Sequence, residues 1–255
     1  MPTFKELLEA ALPEALLTHL HAWDHYLNGE PEVRLVAQLC DRDRDAIDAG
    51  ANIGTYSYFF RRHARRVVAY EPNPGLAARL RRRLPDVDVR NLALSDREGE
   101  IVLQVPIDEK GRQRHELASI AQDFSAGPHE AFNVRMTTID SENFDRIGFL
   151  KIDVEQHERA VLRGARQTIR RCRPVIMTEC TPLKYEADLA TVFAFLLDEN
   201  YRGWFSFAGT WLPFERLAPE VHLDPARFGQ AGGFIGNNVF FFPDENPLAH
   251  TGPRV

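Results

Sequence analysis

An α/β domain with one mainly parallel sheet, covered by helices on both faces, is the fold this 255-residue chain predicts. Three observations point there. From residue 45 onward, short apolar runs alternate with amphipathic segments at helical spacing. A glycine-bearing loop follows the first run, and an acidic residue ends the second. Parallel strands need crossover connections, and crossovers place helices over both faces of the sheet.

Residues 1–43 read as a helical N-terminal extension and 44–250 as the α/β domain. In the extension, Leu7, Leu8, Ala11, Leu16, Leu17 and Leu20 recur at helical spacing over 4–28. Pro13 interrupts that helix or starts a second one, and Pro31-Glu32 suits the first turn of another helix over 31–42. The domain then runs as strand 46–48, helix Tyr56 to Arg65, strand Val67 to Tyr70, helix 74–84 and strand Val87 to Leu92. Ile101 to Val105 and Val134 to Thr138 read as strands around a polar stretch, 108–130, long enough to be a functional loop or lid. Strand 149–153, helix His157 to Arg171, a strand from Val175 ending at Glu179, and helix Leu189 to Glu199 follow. Two tail strands, Trp204 to Phe214 and Phe234 to Phe242, complete the series.

Composition narrows the partners. A formal net charge of −6 argues against nucleic acid, whose phosphates call for a positive surface. The arginine clusters 61–66 and 79–83 sit late in expected helices, where cations suit the dipole; an anionic substrate or lipid surface is the other reading. Three cysteines without tight spacing make neither a disulfide framework nor a zinc site, which points to a reducing cytoplasm. No apolar run approaches the roughly 18 residues of a membrane span, and the N-terminus lacks the pattern of a cleaved leader.

The loop after the first strand is Asp48-Ala49-Gly50-Ala51-Asn52-Ile53-Gly54. Glycine at 50 and 54 lets the backbone turn sharply and approach a ligand, while the next helix points free N–H groups at it. Small residues at that spacing also serve helix packing. Glu71 ends the second strand, where an acidic residue can accept both ribose hydroxyls of a nucleoside. Gly50 is followed by Ala51 and Asn52, so the G-x-G-x-x-G that admits a pyrophosphate is absent. The loop fits a smaller, zwitterionic nucleoside cofactor, the description of S-adenosylmethionine.

Four motifs in order then carry a resemblance: 48–56 (Asp48 to Tyr56), Tyr70-Glu71-Pro72, Asn91 to Asp96, and Lys151-Ile152-Asp153-Val154-Glu155 with Glu158, Val161-Leu162 and Gly164-Ala165. Across roughly 45–182 the chain resembles the FkbM family of methyltransferases, and Gly236-Asn237-Asn238-Val239-Phe240 is similar in style. The resemblance implies a Rossmann-like class I methyltransferase fold, with a seven-stranded sheet and a reversed C-terminal hairpin. It implies methyl transfer to a hydroxyl of a sugar, polyketide or other small natural-product acceptor. Gly50 and Gly54 would lie beside the methionine part, with Asp48 and Asn52 in the same loop. Glu71 would hold the ribose, Leu92 and Ala93 would border the adenine, and Asp153 would face the methyl donor. One departure stands out: the family pattern has glycine where this chain has Gln156, followed by His157.

Lys151, Asp153 and Glu155 alternate, so in an extended strand they share one face at the ligand-binding end of the sheet. Asp153, His157 and Lys151 are the candidate catalytic residues, His157 having the intrinsic pKa of a base. Glu179, at the end of the next strand, also points at the cleft. Asp153, Glu155, His157 and Glu179 form an oxygen-rich set, but their spacing falls across a strand–helix junction, and no metal is expected. The acceptor is a small or glycosylated molecule, with room for a homo-oligomer. A non-catalytic cofactor-binding protein and a nicotinamide-dependent oxidoreductase are the rival readings; Asn52 argues against the second.

Overall fold

The computed structural model describes residues 12, 14–108, 111, 113–114, 118–120, 127–180, 189–207, 209–222 and 235–253. Helix α1 (Glu14–Asn28) leads through a 3₁₀ turn (Pro31–Leu35) into the short α2 (Val36–Leu39). Then follow β1 (Asp45–Ala49), α3 (Thr55–Phe60), β2 (Val67–Tyr70), α4 (Pro74–Arg83), β3 (Asp88–Arg90), β4 (Ala93–Leu94), β5 (Gly99–Pro106) and β6 (His129–Thr137). The second half contains β7 (Ile147–Ile152), α5 (Glu158–Arg163), α6 (Arg166–Cys172), β8 (Val175–Glu179), α7 (Leu189–Asp198), β9 (Tyr201–Phe207), β10 (Thr210–Pro213), α8 (Pro219–His222) and β11 (Ile235–Pro243). The residues before 12, and most of 108–130, lie outside the described residues.

Among the described residues the central sheet orders its strands β3-β2-β1-β7-β8-β11-β9-β10. β3, β2, β1, β7 and β8 pair in parallel, while β11 runs antiparallel between β8 and β9. This is the expected parallel sheet with its reversed hairpin, but with eight strands rather than seven. The tail segment expected as one strand folds back through Gly209 so that β10 pairs antiparallel with β9. A separate three-stranded sheet, β4-β6-β5, holds the segments around the 108–130 stretch.

The strands are buried on both faces, as parallel strands under helices must be. Ile47, Val68, Leu150, Ile176, Val239 and Phe241 pack on one face. Ala46, Val67, Phe149, Met177, Phe240 and Phe242 alternate onto the other, where Val33, Leu35 and Val36 of the extension join them. The N-terminal elements therefore cover the face shared by α3 and α4.

Three helices differ from expectation for local reasons. Residues 31–42 split into the 3₁₀ turn and α2. Helix α3 stops at Phe60 because the chain tightens to bring Arg65 N–H to the Arg44 carbonyl at 2.9 Å, and Arg65 and Arg66 then pair with the buried Asp45 carboxylate. The helix expected from 157 to 171 breaks at Gly164-Ala165. There Asp140 N–H bonds the Gly164 carbonyl, and the Asp140 carboxylate caps α6 by accepting from Gln167 and Thr168 N–H.

Candidate active site at the carboxyl ends of the strands

The loop after β1 is shaped by three left-handed residues, Gly50 (φ 77°), Asn52 (φ 49°) and Gly54 (φ 88°). Both glycines are also required by close approach. A Cβ at Gly50 would lie 1.8 Å from the Asp153 carbonyl oxygen, and one at Gly54 would meet Leu80 Cδ1 of α4 at 2.2 Å. Gly50 thus lets the ends of β1 and β7 touch, while Gly54 serves the helix-packing role the spacing also allowed. A side chain at Gly50 would disturb the backbone between the strands before it reached any ligand.

Glu71 follows β2 and is 5% exposed. Asn52 N–H donates to its Oε2 at 2.7 Å and Asn73 N–H to its Oε1 at 2.8 Å. Burial pushes the Glu71 carboxyl up to about 7, against the lowering effect of these two amides. Asn73 in turn caps α4, its Oδ1 accepting from Gly75 and Leu76 N–H. One short stretch therefore holds the loop, the carboxylate and the next helix in a fixed relation.

Asp48 and Lys151 are register partners on neighbouring strands and so share a face. Asp48 Oδ2 accepts from the backbone N–H and hydroxyl of Ser57 at 3.0 and 2.6 Å, closing β1 onto α3. Lys151 Nζ is buried 3.3 Å from Asp48 Oδ1, an ion pair without hydrogen-bond geometry, and 3.2 Å from Asp153 Oδ2. It also donates to the Gly50 carbonyl at 3.2 Å. Burial alone would lower the Lys151 pKa, but the Asp153 and Asp48 carboxylates outweigh it and hold the ammonium above its ordinary value. A lysine kept charged in this way has no lone pair for general-base work.

Asp153 follows β7 directly, with about a third of its side chain exposed (36%). Ligand oxygens of Asp153, Glu155 and Glu179 lie within 4.8 Å of one another, so three half-buried carboxylates form a negative wall. His157 points elsewhere: its Nε2 lies 2.9 Å from Ser95 Oγ, and burial lowers its pKa. Gln156 occupies the left-handed region (φ 77°), the conformation for which glycine is suited, and Glu155 does so as well (φ 48°). The buried Glu158 carboxylate holds this turn by accepting from Val154 and Gln156 N–H, both at 3.2 Å. Ser119 Oγ donates to the Glu155 carbonyl at 2.7 Å, bringing the expected loop region against the site.

Leu92 and Ala93 have different surroundings. Leu92 is half-buried and borders an open cavity of about 480 Å³ with Gly99, Met136 and Thr137. Ala93, in β4, pairs with Met136 and packs into the core of the small sheet.

The N-terminal extension supplies groups that sequence reading missed. Tyr56 Oη donates to Glu30 Oε2 at 2.6 Å, and the Tyr56 ring lies 5.2 Å from Lys151 Nζ. Glu32 is 2% exposed, with Asn238 as its polar neighbour and neither carboxylate oxygen in a well-formed hydrogen bond. Burial pushes its carboxyl up to about 7. Asn238 is the register partner of Glu179. No spacing signal links residues 30–32 to strands more than a hundred residues away, so only the fold could reveal them.

A glycine loop after β1, an acid after β2 and a reversed hairpin at the sheet edge define the class I methyltransferase fold. The family model for the methyltransferase FkbM domain matches residues 48–202, and this chain belongs to that family. Among solved structures it is similar to the methyltransferase FkbM from Methylobacillus flagellatus KT, with 16% identity and a TM-score of 0.50. That match covers 91% of this chain but 56% of the other, so the chain spans little more than half of that relative. An O-methyltransferase from Bacillus cereus in complex with SAH matches with 10% identity, 94% and 96% coverage and a TM-score of 0.44. No curated protein matches the chain.

Proposed function

We infer that this chain transfers a methyl group from S-adenosylmethionine to a hydroxyl of a small or glycosylated acceptor. The observation that carries the reading is the Glu71 carboxylate, fixed by the Asn52 and Asn73 amides beside the Gly50–Gly54 loop. Each oxygen accepts one backbone N–H and keeps a further lone pair, which suits the two hydroxyls of a ribose. Glu71 would hold that ribose, the turn at Gly50 and Asn52 would border the methionine part, and Leu92 would flank the adenine. The cofactor supplies a methyl group carried on a positively charged sulfur.

The rest of the chemistry falls to the chain's own residues. An acceptor hydroxyl attacks faster when a base removes its proton, an effect of roughly 10²–10⁴-fold. Asp153 is the base on this reading: it directly follows β7, is partly exposed, and is oriented by Lys151. Lys151 is a positioning residue that joins Asp48 to Asp153. His157, engaged with Ser95, supports the turn after β7.

Calorimetry with S-adenosylhomocysteine and NAD, followed by labelled-methyl transfer to a panel of polyhydroxylated acceptors, tests the assignment. One S-adenosylhomocysteine bound per chain, with methyl incorporation into at least one acceptor, is expected. Binding of NAD in its place would make the chain an oxidoreductase. Cofactor binding with no transfer to any acceptor would leave a non-catalytic binding protein.

A further inference from the structure

One helix of the extension shows an apolar face that the described fold leaves uncovered. Leu16, Leu20, Trp23 and Leu27 of α1 are 44%, 45%, 37% and 62% exposed. Their spacing of four, three and four residues puts them on one line along the helix. The opposite side of the same helix is buried at Leu17, Thr18 and Ala22. Single exposed apolar residues are ordinary, but an aligned row of four large ones is a surface to be covered.

Cations frame that row. Arg82 of α4 lies 3.4 Å from Glu14 at the start of α1. Beside its middle, Tyr58 meets the His19 ring edge-on, and Arg61 and Arg62 stack over Tyr58 at 4.9 and 5.0 Å. At the end of the helix, Arg34 donates to the carbonyls of Tyr26 and Leu27 at 2.9 and 3.0 Å. Arg81 is exposed on α4, whose last turn is all arginine. Glu14 pairs with Arg82 and Asp86 with Arg61, while Asp24 accepts from Asn28 and Glu30 from Tyr56; Arg34, Arg62 and Arg81 bond carbonyl or hydroxyl oxygens and keep their charge, so the surround is net positive.

We propose that α1 and its flanking arginines dock this protein onto a membrane surface bearing anionic lipid headgroups. Leucine and tryptophan enter the headgroup boundary while the arginines meet lipid phosphates, the combination that holds amphipathic helices in the interface plane. Charge decides between this and a second copy of the chain. A two-fold contact sets the same patch against itself, so the net positive surround would face its own sign. An anionic surface complements it. The inference concerns where the protein sits and does not depend on methyl transfer.

Co-sedimentation of the full chain with vesicles of phosphatidylcholine, alone or mixed with phosphatidylglycerol, tests it. Binding is expected only to the mixed vesicles and should weaken with added salt. The double variants Leu20→Ser/Trp23→Ser and Arg61→Glu/Arg62→Glu should each lower partition by about tenfold or more. Their cofactor affinity should stay that of the native chain, which also shows that they fold. Quenching of tryptophan fluorescence by brominated lipid in the native chain, absent from a Trp23→Phe variant that keeps Trp204 and Trp211, reports insertion of Trp23. Equal partition onto both vesicles, or none, overturns the proposal. So does concentration-dependent dimerisation lost in Leu20→Ser/Trp23→Ser, which would give the face to a second copy.

Discussion

The two sides of the cleft are built in different ways. On the β1–β3 side, backbone does most of the holding: left-handed residues at 50, 52 and 54 shape a loop, and two amides fix Glu71. On the β7–β11 side, side chains converge from distant parts of the chain: Glu30 and Glu32 from the extension, Asp153 and Glu155 after β7, Glu179 from β8 and Asn238 from β11. A device made of backbone geometry is written in a short stretch of sequence. One made of converging side chains is written nowhere in particular, and can be rebuilt without touching the first.

The largest test of that division is on the converging side. Asp153→Ala should lower turnover by about 10²–10⁴-fold with little change in cofactor affinity, while His157→Ala should cost roughly tenfold or less. Steady-state kinetics on both variants decides it. A larger loss at His157, with a pH–rate limb that vanishes only in that variant, would make the imidazole the base and extend the site to Ser95.

On the backbone side, Glu71→Ala should weaken S-adenosylhomocysteine binding by about 2–4 kcal/mol, on the order of 30- to 1,000-fold. It should also lower the melting temperature without cofactor, because the Asn52 and Asn73 amides lose their acceptor. The Glu71 carboxyl is raised from 4.5 to about 7, and ribose hydroxyls donate to its ionised form. Affinity should therefore fall as pH drops through that value, by up to about tenfold per pH unit below it. Calorimetry across pH checks this; a flat profile would mean that Glu71 does not meet the ribose.

Glu32 sharpens the contrast, since neither of its buried carboxylate oxygens has the well-formed amide bond that steadies Glu71. Its carboxyl is likewise raised from 4.5 to about 7, so between those values the folded state binds more protons than the unfolded chain. Stability contributed by this group therefore falls as pH rises through the window and stays low above it. Glu32→Gln should raise stability by roughly 1–3 kcal/mol at alkaline pH and change little near pH 4. Denaturant melts at the two pH values measure the difference. An equal effect at both would place the cost in packing rather than charge.

The smallest expected effect is from chelation. Methyl transfer should survive exhaustive EDTA treatment, with Asp153, Glu155 and Glu179 serving as a carboxylate wall. Activity lost to EDTA and restored by magnesium or calcium would turn that wall into a set of metal ligands.

The same division explains what could be read in advance. β2 matched its apolar run from Val67 to Tyr70, and the Gly50–Gly54 loop and Glu71 lie where their motif puts them. The lysine at 151 carried a recognisable position but not its state, because the pairing with Asp48 exists only once β1 and β7 are in register. The β4-β6-β5 sheet was hidden for a related reason. β5 and β6 were legible as apolar runs and the two-residue β4 was not, and an antiparallel pair across a long polar stretch leaves no periodic sign of partnership. Gln156 looked like a departure from a glycine position, yet it keeps the left-handed backbone of that position, held by Glu158.

One ammonium serves both sides of the cleft. Lys151 Nζ stands 3.3 Å from an oxygen of Asp48 and 3.2 Å from one of Asp153, so a single positive charge is divided between a buried acid on β1 and a partly exposed one after β7. A ligand that draws Asp153 away leaves more of that charge to Asp48, and a ligand that repositions the β1 loop changes what Asp153 feels. If the proposed cofactor and acceptor fill the two halves, their occupancies are thermodynamically linked, and linkage is reciprocal: whatever factor one ligand imposes on the other's affinity, it receives in return.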